Sequence, residues 1–517
     1  MDSSSTGRPP SLASSVLVGG PGAMLPLLDV PRFEVRRCIE KRGLVSMSAH
    51  RRTLVRLARP VYLELLAGVA AGVINVIWVA RLGGDAVAAV AVATNVENLL
   101  LGVVLVAGSG TTVLVARARG ADDPAAVRAA VRGGAALGAL LVPPVAVGGY
   151  LLREPLAALL LGGRDHPAHA LATAYFAVSL PGTAVFFAVT VLDGILKGAG
   201  DTRTPMRLAF LANGLILVLD PLLIQAYGVR GAALATVTGR AVALAAGLLV
   251  LRREPLVRAA RAVRPAERTA AALRRAAATG LPMGVDFAVR MAGALALVSV
   301  VARLGVTEIA AYGIATKAMY VATMAFYAVR QAAAIHSAHL LGSAAGAERG
   351  PSRPLGHPAG TDASLDERRA VGRQALLLGG VLGAGAAVLL LLGAGPVMRI
   401  FGAGPEVAEA GALYLRCLGP HLLLTGGFIA LAGVFEGTGA SPYLARITLA
   451  GVLVQLPLAH ALSGFGLPGI CLAMALATAA QCAGLGLLYR RTLGDARGRG
   501  RRGPARSTGP SSRRRPA

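Results

Sequence analysis

Aromatic residues are scarce in this chain, 4% of 517 positions with a single tryptophan. Cysteine is scarcer still. Cys38, Cys417, Cys471 and Cys482 show no metal-ligand spacing, which argues against a zinc site or a disulfide framework. Lysine occurs only at positions 41, 197 and 317 among 52 basic residues, so the bases are arginines, as the codon bias of a GC-rich genome produces. No P-loop, HExxH or GxSxG is present. Nucleotide hydrolysis and intramembrane catalysis therefore lack a motif, and no catalytic residue, metal or cofactor is expected. Residues 12–30 hold no long apolar core after a basic start, so no cleavable signal is expected.

What the chain has is apolar length. Mean hydropathy is +0.63 and 55% of residues are hydrophobic, above the share of a soluble domain. Twelve runs are candidates to cross a bilayer as helices: 60–80, 87–113, 130–151, 170–194, 206–226, 231–251, 279–302, 308–332, 374–395, 410–433, 444–463 and 467–489. Strands would show short alternating segments instead, so an all-α integral membrane protein is predicted. The net charge of +26 suggests nucleic acid, but its placement argues otherwise. With both termini inside, Arg81, Arg153, Arg164, Arg230, Arg303 and Arg399 are the only bases in outer loops, a strong positive-inside bias. A multi-pass cell-membrane protein with cytoplasmic termini follows, with the lipid bilayer and no nucleic acid as partner.

The chain also repeats itself. Val79-Ala80-Arg81-Leu82-Gly83 returns as Val301-Ala302-Arg303-Leu304-Gly305, an offset of 222 that also aligns Pro60 with Pro282 and Glu64 with Asp286. At an offset of 239, Gly194, Gly198 and Gly200 match Gly433, Gly437 and Gly439. Duplication in so apolar a chain predicts two six-helix lobes related by pseudo-twofold symmetry, with a path between them. The expected organisation is a disordered basic segment over 1–53, with Met47 a plausible true start and much of 1–46 expected to be dispensable. An N-lobe over 54–252, a basic linker over 253–275 and a C-lobe over 276–490 follow. The C-lobe carries a polar loop over 343–372, and a disordered basic tail covers 491–517.

Three stretches resemble the MATE family, the multidrug and toxic compound extrusion transporters. They are 54–93, the GAGDTRTP run within 194–206, and 228–237, with weaker echoes in the second half. The resemblance implies cation-coupled export by alternating access. In GAGDTRTP itself, the glycines suit a helix end, Asp201 or Thr202 an N-cap, and Pro205 the next first turn. That run reads as a structural hairpin.

Charges inside a bilayer are costly, so each such residue should face a cavity or a partner. The resemblance makes Asp220 the coupling acid, with Asn213 seven residues before it and Thr236 as a hydroxyl neighbour. Burial penalises the charged form of an acid, which suits such a group to taking up and releasing a proton. The family usually has an Asp where Asn75 stands and often a second Asn where Ile216 stands. One carboxylate and few amides suit Na⁺ poorly, so H⁺ is the expected ion, with Na⁺ the other option. Glu64 and Asp286, each four residues after a proline, are candidates for the cleft or for a cationic substrate. Asp286 has an alternative local partner in Arg290 at i+4. Glu97 and Lys317 are further cleft candidates, whereas Lys197 and Glu436 read as interfacial. Tyr312, Met319, Tyr320 and Tyr327 form a stripe that either packs a core or receives flat organic cations. The expected function is export of small, amphipathic, cationic compounds or drugs across the inner membrane by a monomeric antiporter. A flippase for lipid-linked precursors is the rival, favoured by Arg290, Lys317 and Arg330.

Overall fold

The computed structural model describes residues 32–349, 359–400 and 404–501, with side chains described over 48–347, 366–400 and 404–490. Residues 1–45 form a separate unit, and the helical body belongs to the unit that follows. The described elements are helical: α1 (Arg32–Ala80), α2 (Gly84–Gly120), α3 (Pro124–Leu151), α4 (Arg153–Leu161), α5 (His169–Gly198), α6 (Arg203–Tyr227), α7 (Val229–Arg253) and α8 (Pro255–Ala262) make the first series. The second is α9 (Thr269–Val301), α10 (Val306–Arg349), α11 (Ala359–Ile400), α12 (Pro405–Cys417), α13 (Gly419–Thr438), α14 (Ser441–Ala461) and α15 (Gly466–Arg501). Twelve of these are long and apolar enough to span a bilayer, with α4, α8 and α12 as the short connectors.

The helix ends follow local chemistry. Asp123 accepts from the Ala126 amide at 2.9 Å and Pro124 opens α3, where a missing N–H costs nothing. Asp201 does the same for α6, its Oδ1 accepting from the amides of Arg203 and Thr204 at 2.9 and 3.0 Å. Of the two capping residues expected there, Asp201 is the one used.

The duplication is physical. The α2–α5, α3–α5, α5–α7 and α6–α7 pairs are mirrored by α10–α13, α11–α13, α13–α15 and α14–α15. Gly194 packs on the Gly108 carbonyl and Gly198 on Thr112; their matches Gly433 and Gly437 pack on the carbonyls of Arg330 and Ala334. Each of those contacts lies 222 residues after its counterpart on the α2 side and 239 after it on the α5 side. Gly200 and Gly439 leave their helices at φ +85° and +87°, a region side chains disfavour. The fold is therefore two six-helix lobes with pseudo-twofold correspondence.

The structure departs from the sequence reading at the ends of elements. Helix α1 begins at Arg32, inside the leading segment expected to lack structure; residues 1–31 lie outside those described. Helices α10 and α11 extend into the polar loop, leaving 350–358 outside the described residues, and α15 runs on to Arg501. Alanine, arginine and leucine, good helix formers, continue these helices past their apolar cores. Composition marks the core of a span better than its end. The run 410–433 divides at Leu418 between α12 and α13. A short helix, α8, interrupts the basic linker.

Because the crossings are even in number, Ser48 and Arg490 lie on one face of the bundle, the terminal face. Inter-lobe packing reaches from that face to the middle. Gly110 meets Ala276 and Gly280, Gly280 meets Val106, Gly120 meets His339, and Gly342 meets Arg117. Small residues let these backbones approach closely, the usual basis of association in lipid. Polar contacts join the lobes at the same level. His50 and His336 are 2.9 Å apart, Arg132 donates to Thr269 at 2.7 Å, and Arg117 donates to the Gly437 carbonyl at 3.3 Å.

Candidate ion and substrate site

In the N-lobe, Asn75 Nδ2 donates to Asp220 Oδ2 at 3.0 Å, tying α1 to α6. Asp220 is fully buried, and its Oδ1 has no hydrogen-bond partner. An acid so placed has one oxygen held and one free to carry a proton. Asn213 is half-buried on the same helix and takes no part in this contact. The departure from the family pattern at position 75 is thus structurally coherent, since an amide donates where a second carboxylate would repel.

Beside this pair is a cavity of about 180 Å³, lined by Glu97, Tyr175, Ser179, Phe186, Thr236 and Arg240 among others. Glu97 sits next to Ser179 and within electrostatic reach of Arg240. Tyr175, itself buried, lies close enough to Glu97, Arg240 and Asp220 to feel all three. The Arg240 guanidinium is stacked 4.4 Å from the Phe186 ring centre. Thr236 and Glu97 therefore line one cavity, and Tyr175 of that lining lies within reach of Asp220. Tyr175, Ser179 and Arg240 were missed. The one available signal was Arg240 itself, a base within an otherwise apolar run.

The symmetric acids have a different fate. Glu64 pairs with Lys197 at 2.7 Å, and Asp193, one turn earlier on α5, lies in the field of both. In the C-lobe, Asp286 is fully buried, bonded to Arg290, to Arg330 at 2.7 Å and to Thr448 at 2.6 Å; Arg330 also engages Glu436. Both clusters occupy corresponding places, but their charges are permuted. Lys197 of the N-lobe answers to Glu436 of the C-lobe, so the base that neutralises the acid comes from α10, where the N-lobe has Gly108. Lys197 and Glu436 are buried members of these clusters, each in the last turn of its helix. Asp286 is fully engaged within its own lobe, and Glu64 is held by Lys197 on one oxygen while the other has no hydrogen-bond partner.

The aromatic stripe divides. Tyr312 is buried edge-on against Tyr414, with ring centres 5.3 Å apart, and Met319 packs on the C-lobe core. Tyr327 stands 5.8 Å from Arg290 and 5.9 Å from Arg330, closing the C-lobe cluster. Tyr320 and Lys317 are exposed toward the opposite end of α10. Of the four stripe residues, Tyr320 is the exposed one.

Two packed bundles of duplicated helices, each with buried charges and one with a polar cavity, define a polytopic membrane protein of the transporter type. The MatE family model matches residues 60–222 and 364–460, and the chain belongs to that family, MATE. It is 25% identical over 429 residues to the probable multidrug resistance protein NorM of Thermotoga maritima, covering 78% of this chain and 86% of that one. It is also 26% identical over 263 residues to the probable multidrug resistance protein YpnP of Bacillus subtilis, covering 50% of this chain but only 58% of that protein. Among solved structures, the Vibrio cholerae MATE transporter VcmN superposes with a TM-score of 0.78 at 19% identity, covering 87% of this chain and 98% of that one. A Pyrococcus furiosus transporter of the MOP superfamily gives 0.75 at 21%, covering 87% and 97%.

Proposed function

We propose that this protein is an antiporter that exports small, amphipathic, cationic organic compounds across the inner membrane in exchange for protons. Support comes from one observation above the rest: Asp220 is buried, held on one oxygen by Asn75 and unpartnered on the other. A carboxylate and an amide offer too few oxygens for a sodium cage, but a proton needs only the free oxygen. Protonation biases the two-state body as linkage requires of any coupling ion, because Asp220 binds the proton differently in each state.

The N-lobe cavity is smaller than the roughly 300–1,000 Å³ that encloses a drug-sized molecule. It acts as a polar subsite, with Glu97 attracting the cationic end of a substrate whose apolar body lies in the cleft between lobes. The termini are cytoplasmic by the placement of arginine. The inter-lobe contacts near the terminal face then correspond to a state closed to the cytoplasm. Of the three bases that favour a flippase, Arg290 and Arg330 are engaged by Asp286 and Glu436, while Lys317 is exposed.

Proteoliposomes loaded with a fluorescent organic cation test the reading. A pH gradient alone is expected to drive concentrative transport, and a sodium gradient alone is not. Transport driven by sodium at fixed pH would overturn proton coupling.

A further inference from the structure

A second pocket, outside the site described, lies where α1 meets the start of α6 near the terminal face. Its volume is about 440 Å³, and it is lined by Arg51, Arg52, Arg56, Arg59 and Arg203, with Val55 and Pro60 as its apolar wall. No carboxylate is among its lining residues. Two acids close by in sequence are engaged elsewhere: Glu64 with Lys197, and Asp201 with the first amides of α6. The four α1 arginines recur at helical spacing on one side of the helix, and Arg203 comes to meet them from the first turn of another.

We infer that this pocket binds the headgroup of an anionic phospholipid. The ligand chemistry follows from the lining. Guanidinium groups present forked donors that match a phosphodiester, and several converging on one concavity outweigh what a single surface arginine does. The lipid, rather than a soluble phosphate, follows from position. Below the arginines both helices expose apolar side chains, Leu63 on α1 and Phe210 and Leu211 on α6, which suit acyl chains running from a headgroup held above. The inference rests on the membrane placement, not on the coupling ion or the substrate.

One consequence reaches the coupling site. Helices α1 and α6 are the two that Asn75 and Asp220 join. A headgroup bridging Arg52 or Arg56 to Arg203 clamps the same two helices near their terminal-face ends, so anionic lipid favours the state in which the Asn75–Asp220 contact is made.

Native mass spectrometry of the full chain in detergent tests this, with phosphatidylglycerol, phosphatidylcholine and glycerol 1-phosphate as probes. The expected result is one phosphatidylglycerol retained at least tenfold more tightly than phosphatidylcholine. The combined variant R52Q, R56Q and R59Q should abolish that preference. The control R258Q, R264Q and R268Q, which removes as many exposed charges elsewhere, should keep it. Equal losses in the two variants would reduce the effect to general surface charge and overturn the site. Competition by glycerol 1-phosphate would overturn the lipid as occupant. Thermal unfolding of each variant without lipid separates misfolding from lost binding. Repeating the binding in Asp220→Asn keeps this outcome apart from failure of the transport reading, since retention needs no transport.

Discussion

Glu64 and Lys197 form a buried ion pair. Each has about a tenth of its side chain exposed, and removal of Lys197 leaves Glu64 buried with only another acid, Asp193, in its field. Such a loss costs about 3–5 kcal/mol, whereas replacing both partners is often near neutral. Lys197→Met is therefore expected to lower thermal stability in detergent sharply, and adding Glu64→Gln to recover most of it. Simple additivity of the two changes would show that the pair does not act as one. The acids themselves were legible, because a repeated Pro-x-x-x-acid pattern needs no structure to be seen. Of their partners, Arg290 was legible at i+4 from Asp286 and does bond it. Lys197 and Arg330 were not, since Lys197 lies 133 residues from Glu64 and Arg330 stands where the first repeat has a glycine.

Glycine decides how closely the helices approach. Gly437 lies on the Ala334 carbonyl, so a side chain there must push α13 off α10. Gly214, by contrast, has open space where a Cβ would go. Gly437→Val is expected to cost at least 1–3 kcal/mol by overpacking, while Gly214→Ala gains roughly 0.5–1 kcal/mol of helix propensity. Comparative unfolding of the two variants checks the contrast, and equal effects would refute the assigned contacts. At this scale the sequence was informative. Twelve spans, the cap at Asp201 and the paired helix ends at Gly200 and Gly439 all follow from periodicity and turn chemistry. Helix ends beyond the apolar cores did not, because alanine and arginine carry a helix onward without a hydropathy signal.

For the molecule as a whole, export by alternating access requires the terminal-face contacts between lobes to break. The His50–His336 contact is a convenient place to hold them. With the native cysteines replaced, His50→Cys combined with His336→Cys is expected to cross-link under mild oxidation, to stop transport, and to recover on reduction. Full activity of the cross-linked protein would mean that the lobes do not part there. The convergence of Tyr175, Arg240 and Glu97 on one cavity belongs to this scale too. These residues come from α5, α7 and α2, and only the packing of the whole N-lobe brings them together.

In the proposed antiport the acid at position 220 is the coupling group, and one measurement addresses that directly: pH-gradient-driven transport by Asp220→Asn in proteoliposomes, beside the unaltered protein at equal reconstitution. The account predicts a loss of at least tenfold, with the variant still folded and still binding the organic cation. Concentrative transport at the normal rate and the same response to the gradient would contradict it.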